Sequence, residues 1–418
     1  MRGTQEPKKT AERESRSLIE AAGFSYFPIA LMARLPFAMM VVGVLTLVVS
    51  GRGSLALGGL NSAMVGVGGA IFGPLIGAAA DRYGQRPVVL AAGLANSVAL
   101  LVMSWIVYSP VPDTAMLAVG FAIGATAPQV SPMSRSRLVV ITLRKIPTAR
   151  RIRVLNGMMA YESAADEIVF VFGPFVVGLL ATTMNAAMPV VIGAILNLVF
   201  VSAFALHRSS TVANDGGSAR DRVQGPASEL LRPALLVVVL GVTGVGVFFG
   251  SMLTSLTAFM EVRGHPEAAG LVYGAMGVGS AALALAVAFM PARFTPRARW
   301  LVFAAVLFAG TLALELVDSV AGMVVVLLVI GVGIGPTLVT QYSFGADRSP
   351  QGRSATVMTI LGSGVIVGQS AASAFTGSLA QAAGPSAALA VPSAAAGIVV
   401  VAGLANWVLT GRAAATKG

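Results

Sequence analysis

Three carboxylates lie within one apolar stretch of the chain. Glu162, Asp166 and Glu167 fall between Met159 and Leu179. Near the centre of a bilayer each acid costs roughly 2.5–3.5 kcal/mol, so none can face lipid unaided. They must be buried in protein, paired, protonated or in contact with water. Glu162 and Asp166 are four residues apart and share a helix face, while Glu167 points about 100° away from Asp166. Arg34 lies in another apolar stretch, at a depth comparable with Glu162. A desolvated carboxylate binds protons more tightly and a nearby guanidinium opposes that. An Arg34 that is close in one state and distant in another therefore makes proton affinity depend on conformation. Glu162, Asp166, Glu167 and Arg34 form the expected proton-coupling group, with a structural buried ion pair that fixes packing as the alternative reading.

Other chemistry finds few residues to use. There is no cysteine, which excludes disulfides and thiolate metal sites. The two histidines, His207 and His265, fall near predicted loops, so no metal site is expected. No phosphate-binding glycine–lysine loop and no nucleophile–base pair is present. The expectation is a protein that is not an enzyme and takes no cofactor.

The elements that hold these charges follow from composition. The chain of 418 residues is 56% hydrophobic and 11% charged. Soluble domains carry about 25% charged residues, so this is an integral membrane protein. Spans of about 20 apolar residues are predicted at 27–50, 56–80, 87–108, 115–136, 155–183, 187–206, 233–260, 268–290, 298–317, 322–344, 354–382 and 386–410. The expected fold is an all-α membrane protein, twelve transmembrane helices in two six-helix pseudo-symmetric halves. Its parts are a tail at 1–26, a first half at 27–206, a polar flexible linker at 207–231, a second half at 232–410 and a short tail at 411–418.

The net charge of +11 is a matter of topology, not of nucleic acid. With the N-terminus inside, all Lys and Arg but Arg34, Arg52 and Arg263 fall on the cytoplasmic side. Both termini are then cytoplasmic, in a multi-pass protein of the inner (plasma) membrane. Arg135, Arg137, Arg144, Lys145, Arg150, Arg151 and Arg153 crowd the predicted loop between the fourth and fifth spans. They read as a topology signal that can also touch anionic lipid.

The halves echo each other. The fourth span carries Gly124, Pro128 and Gln129; the tenth carries Gly335, Pro336 and Gln341. Glycines at 69, 73 and 77, and at 362, 364 and 368, let helices approach closely. Two repeated halves around a central site are a transporter plan.

The turn after the second span contains Gly77, Asp81, Arg82, Gly84 and Arg86. It resembles the cytoplasmic signature of the major facilitator superfamily, G-x-x-x-D-R-x-G-R-[RK], with Gln85 standing where a basic residue is usual. Gly77 permits helix contact, Asp81 can meet a positive helix N-terminus, and Gly84 allows a tight turn. Arg82 and Arg86 can reach across the gap between halves. The resemblance implies a gate that latches the cytoplasmic side. Gly173, Pro174 and Gly178 resemble, in part, the G-P-x-x-G segment of the superfamily's drug/proton antiporters, where the backbone can also bend. The resemblance further implies a monomer and a cavity lined by spans one, four, seven and ten. Candidates there are Arg34, Gln129, Phe248, Phe249, Thr254, Gln341 and Tyr342, with packing the favoured role of the two phenylalanines.

The leading expectation is a secondary active transporter exporting a small molecule or drug in exchange for protons. A facilitator or importer of sugars or metabolites without proton coupling and a lipid flippase are the alternatives. Drug exporters often carry an acid in the first span. Arg34 stands there in this chain, which favours anionic or neutral substrates over cationic ones.

Overall fold

The computed structural model describes residues 17–214, 224–263, 269–291 and 293–415. His265 and most of the N-terminal tail lie outside them. The fold is all-helical, with no strand among the described residues, and twelve helical segments are long and apolar enough to cross a membrane.

A short helix, α1 (Leu18–Ala22), precedes α2 (Tyr26–Arg52), α3 (Leu55–Tyr83) and α4 (Gln85–Ile106). The fourth span is two helices, α5 (Asp113–Ala125) and α6 (Val130–Lys145), and the fifth is the long α7 (Thr148–Thr183). The sixth is α8 (Met188–Leu196), a π-helical turn and α9 (Ser202–Leu206), followed by α10 (Ser209–Asn214). The second half holds α11 (Pro233–Glu261), α12 (Ala269–Ala286), α13 (Pro296–Leu312), α14 (Val320–Asp347), α15 (Ser354–Ala383) and α16 (Pro385–Ala415). The spans alternate in direction. The end that carries Asp81, Arg135 and Arg348 is called the basic end below.

Three sequence expectations need correction. The fourth span is not one helix, because it breaks at Thr126–Gln129. Pro128 lacks an N–H and its ring disfavours helical geometry at Ala127. The matching Pro336 leaves α14 unbroken. In α7 the chain stays helical through Gly173 and Pro174, so there is no break above the acids. The polar linker is also partly structured: α10 and a 3₁₀ turn at Ala227–Leu231 flank the residues outside the described set.

Glycines set the close helix contacts in both halves. A side chain at Gly124 would run into the Val65 carbonyl, joining α5 to α3. A side chain at Gly335 would run into the Ser280 carbonyl, joining α14 to α12. The second span thus meets the fourth as the eighth meets the tenth, which is the internal repeat seen in packing. Apolar side chains fill the rest, including Trp300, Phe204, Phe248, Leu100 and Met116, all fully buried. At the end opposite the basic one, Arg52 donates to the Ser109 and Val111 carbonyls, and Arg263 to the Asp318 carbonyl. Those two outlying cations tie turns.

Candidate functional site: a buried charge cluster between the halves

Three helices meet at the acids: α7 carries them, and α2 and α6 supply their partners. On α7, Glu162 and Asp166 project from one face, as four-residue spacing requires. Arg34 of α2 donates to Glu162 through Nη2, and its Nε lies 3.1 Å from Asp166 Oδ1. From α6, Arg135 Nη2 donates to Asp166 Oδ2 at 2.7 Å, and its Nη1 donates to Ser131 Oγ at 2.7 Å. Ser131 in turn donates to Asp166 Oδ2 at 2.7 Å. Ser134 donates to Glu162 Oε1 at 2.9 Å, and its hydroxyl oxygen accepts from Tyr26 at 2.6 Å. Two guanidinium groups and two carboxylates make a cluster of zero net charge. Glu162 Oε1 and Oε2 and Asp166 Oδ2 each accept from a hydroxyl or a guanidinium, and Asp166 Oδ1 pairs with Arg34 by charge, which is what makes buried charge tolerable.

The members differ in burial. Glu162 is fully buried, and Arg34 and Arg135 are nearly so, whereas the Asp166 side chain keeps 23% of its surface exposed. Asp166 is therefore the less enclosed of the two carboxylates. The side chain of Glu167 lies outside the described residues.

The cluster touches the other half through Arg135. Arg135 lies over the ring of Tyr342 on α14, 4.0 Å from its centre. Tyr342 is thus the cavity candidate that joins Arg34 at the charges. Gln341, one residue earlier, points about 100° away. It is buried beside Gly241 and Trp300. Phe248 is likewise in the core, fully buried, with Phe249 packed beside it. Thr254 donates to the Gly250 carbonyl of its own helix. Gln129 sits at the span-four break beside Gly73 and Ser363, donating to the Ala127 carbonyl.

At the basic end the signature turn reaches the other half. Asp81 accepts from the backbone N–H of Ala355 at 3.0 Å and of Thr356 at 2.7 Å, and from the Thr356 hydroxyl at 2.6 Å. A carboxylate thus seats on the N-terminal turn of α15, where the helix dipole is positive. Gly77 packs against Thr359 and the Ala355 carbonyl, so a side chain there would collide with both. Gly84 turns the chain with φ 96°, a conformation glycine adopts freely. Arg82 and Arg86 are exposed, and Arg82 lies 5.5 Å over the ring of its neighbour Tyr83. In the antiporter-like segment, Gly173 meets Ala38 of α2, while Gly178 faces open space. The Pro174 side chain lies outside the described residues.

Sequence reading missed Arg135 and Arg137 as site residues. It placed both in a loop as a topology signal, but they are buried residues of α6. Arg137 donates to Gln85 Oε1 at 2.9 Å and to the Phe204 carbonyl at 2.8 Å, and lies over the Phe204 ring. The overlooked signal is Ser131, Ser134 and Arg135, three polar residues on one helical face directly after an apolar run.

The family model described as Major Facilitator Superfamily matches residues 23–363. No curated protein matches the chain. Several solved structures share its fold. The human organic anion transporter MFSD10 (TETRAN) is 19% identical, with TM-score 0.67, over 92% of this chain and 99% of that one. A bacterial homologue of the iron transporter ferroportin, in its outward-facing state, is 14% identical, with TM-score 0.70, over 93% and 99%. The E. coli fucose:proton symporter FucP is 15% identical, with TM-score 0.62, over 91% and 99%. At these identities the likeness is one of fold alone. With the family match spanning most of the described helices, the chain belongs to the major facilitator superfamily and is a secondary transporter of that family.

Proposed function

We propose that the transporter exports a small molecule in exchange for protons, by alternating access, with its basic end toward the cytoplasm of a cell whose inner (plasma) membrane it spans. The supporting observation is Asp166, partly exposed and shared by two buried arginines within an apolar bundle. Ionised, it neutralises the cluster and holds Arg34 and Arg135 in place. Protonated, it leaves the cluster with a net positive charge in a medium of low dielectric, which favours a rearrangement. Asp81 with α15 and Arg135 with Tyr342 join the halves at the basic end, and these contacts support reading this arrangement as closed on that side. A proton from outside reaches Asp166, the cytoplasmic side opens, and its release inside resets the cycle. Export rather than import rests on the antiporter-like segment, whose Gly173 brings α7 against α2 beside Arg34. Arg34 in the first span makes an anionic or neutral substrate the better fit. The superfamily resemblance makes the working unit a monomer.

Comparing drug susceptibility and metabolite efflux of a deletion strain with its parent identifies the compound. In everted vesicles carrying a preset pH gradient, that compound should dissipate the gradient. Movement without dissipation identifies a facilitator, and movement of labelled lipid in liposomes identifies a flippase.

A further inference from the structure

Arg135 has one hand on each half. Its guanidinium is held by Asp166 Oδ2 and Ser131 Oγ, both at 2.7 Å, and its face lies on the Tyr342 ring at 4.0 Å. Arg135, Tyr342 and Glu162 are all buried, and Arg135 Nε has no hydrogen-bond partner among the described residues. Its orientation therefore depends on Asp166 and Ser131. A carboxylate accepts from a guanidinium with fixed in-plane geometry, and that geometry sets where the flat face points.

We propose that Arg135 is the positioning residue that carries the protonation state of Asp166 to the second half, leaving the Tyr342 ring when Asp166 becomes neutral. The proposal rests on the proton-coupled reading above and adds the part that moves. With Asp166 ionised, the guanidinium plane is fixed and its cation lies on the π face, an attraction strengthened by desolvation. With Asp166 neutral, the charged acceptor is gone, and the neutral oxygen that remains beside Ser131 Oγ holds the plane less firmly. Arg135 then turns toward any polar group or water that solvates it better, and the basic end loses a contact that closes it.

The groups facing Asp166 support this assignment. Arg34 approaches from α2 and Arg135 from α6, and Glu162 lies one turn earlier on α7 itself. From α14 the nearest titratable group is Tyr342, which Arg135 covers. The helices α8 and α12 also pack on α7 and carry no charged residue, Tyr273 being the titratable group of α12. Arg34 is held by two carboxylates of its own half, so it keeps Glu162 when Asp166 is protonated. Arg135 keeps no carboxylate, and it alone of the two arginines lies on a ring from the other half.

The chain contains no cysteine, so Ile152→Cys on α7 and Leu231→Cys, the last linker residue before α11, give the protein two thiols, both at exposed positions of the basic end. Spin labels on these thiols report the separation of the halves in nanodiscs as pH is varied. In the parent, the widened population should grow as pH falls. Tyr342→Leu should raise that population at high pH roughly tenfold and flatten its pH dependence. Tyr342→Phe, which keeps the π face, should restore the parental profile. Asp166→Asn should be widened at every pH. If Asp166→Asn still titrates like the parent, the proton-coupling reading fails. If Asp166→Asn is flat while Tyr342→Leu titrates like the parent, that reading stands and the role of Arg135 is overturned. A Tyr342→Phe profile matching Tyr342→Leu also overturns it, because the ring face would then not be the contact that matters.

Discussion

Gln85 accepts a hydrogen bond from Arg137 Nε at 2.9 Å, and its own amide donates to the Met133 carbonyl at 3.3 Å and toward Ser136 at 3.4 Å. This pairing explains the departure of the signature turn from its family pattern. The position where a basic residue is usual faces a buried arginine in this chain. An amide oxygen can accept from that arginine, and a second cation cannot.

Gln85→Lys should therefore destabilise the first half. It removes an acceptor and adds a buried charge next to Arg137, a defect of about 3–5 kcal/mol. Gln85→Glu should hold or raise stability, because it supplies a carboxylate at the same place. Thermal unfolding in detergent, followed by tryptophan fluorescence or by loss of the monodisperse peak, separates the two. A Gln85→Lys protein as stable as its parent would remove this explanation of the sequence.

Asp81 makes the complementary contact across the halves. Its two oxygens accept three hydrogen bonds from the first turn of α15. Asp81→Asn keeps the shape, loses the negative charge at a helix N-terminus and turns one acceptor into a donor. The expected loss is about 1–2 kcal/mol of cross-half attachment. Spin-label distances across the basic end should shift toward the open population, and turnover should slow. Unchanged distances would mean that Gly77 and its packing against Thr359 hold this end unaided.

Much of this was legible in the residues, for physical reasons. A charge inside an apolar run has to find a partner, so Arg34 and Glu162 could be matched by depth alone. Asp81 followed from the affinity of carboxylates for helix N-termini, although nothing in the sequence says which helix. Arg135 and Arg137 were hidden because a cation at the end of a span looks the same whether it faces water or protein. The break at Pro128 brings them inward, while Pro36, Pro336 and Pro392 leave their helices continuous, so a proline in the sequence does not announce a break. Gln341 and Tyr342 show the same limit at smaller scale. Adjacent residues on a helix face different neighbours, and only the packing of α14 decides which one meets Arg135.

His207 gives a pH-dependent prediction outside the spans. Burial, and then the nearby Arg137 and Arg208, lower its proton affinity below the ordinary value of 6.5. The backbone N–H of Ser209 donates to Nδ1 at 3.2 Å, so the proton of the neutral ring is on Nε2, beside Ser25 Oγ at 3.1 Å. In the unfolded chain the imidazole takes a proton near 6.5; in the folded protein it does so at lower pH. Stability attributable to this residue is therefore present above that range and falls as pH drops through 6.5 toward the folded midpoint. With His265→Gln the protein has a single histidine, whose ring resonances can be titrated by NMR. A midpoint at or above 6.5 would contradict the burial and charge environment described for α9 and α10.

The two acids of α7 should part company when neutralised. Glu162 is fully buried, accepting from Arg34 and Ser134 with no surface left for water. Glu162→Gln leaves Arg34 with half its counter-charge in a desolvated position, a loss of about 3–5 kcal/mol that should appear as poor folding and low yield. Asp166 keeps a solvent-exposed edge, and Asp166→Asn retains an oxygen that can accept from Ser131 or Arg135. That protein should fold, lose concentration of substrate against a gradient and keep part of its substrate exchange, since exchange needs no net proton movement. Transport against a gradient in proteoliposomes and counterflow in the same preparation measure the two properties separately. Full uphill transport by Asp166→Asn would exclude Asp166 as the proton carrier. A well-folded Glu162→Gln that has lost uphill transport but kept exchange would transfer that role to Glu162.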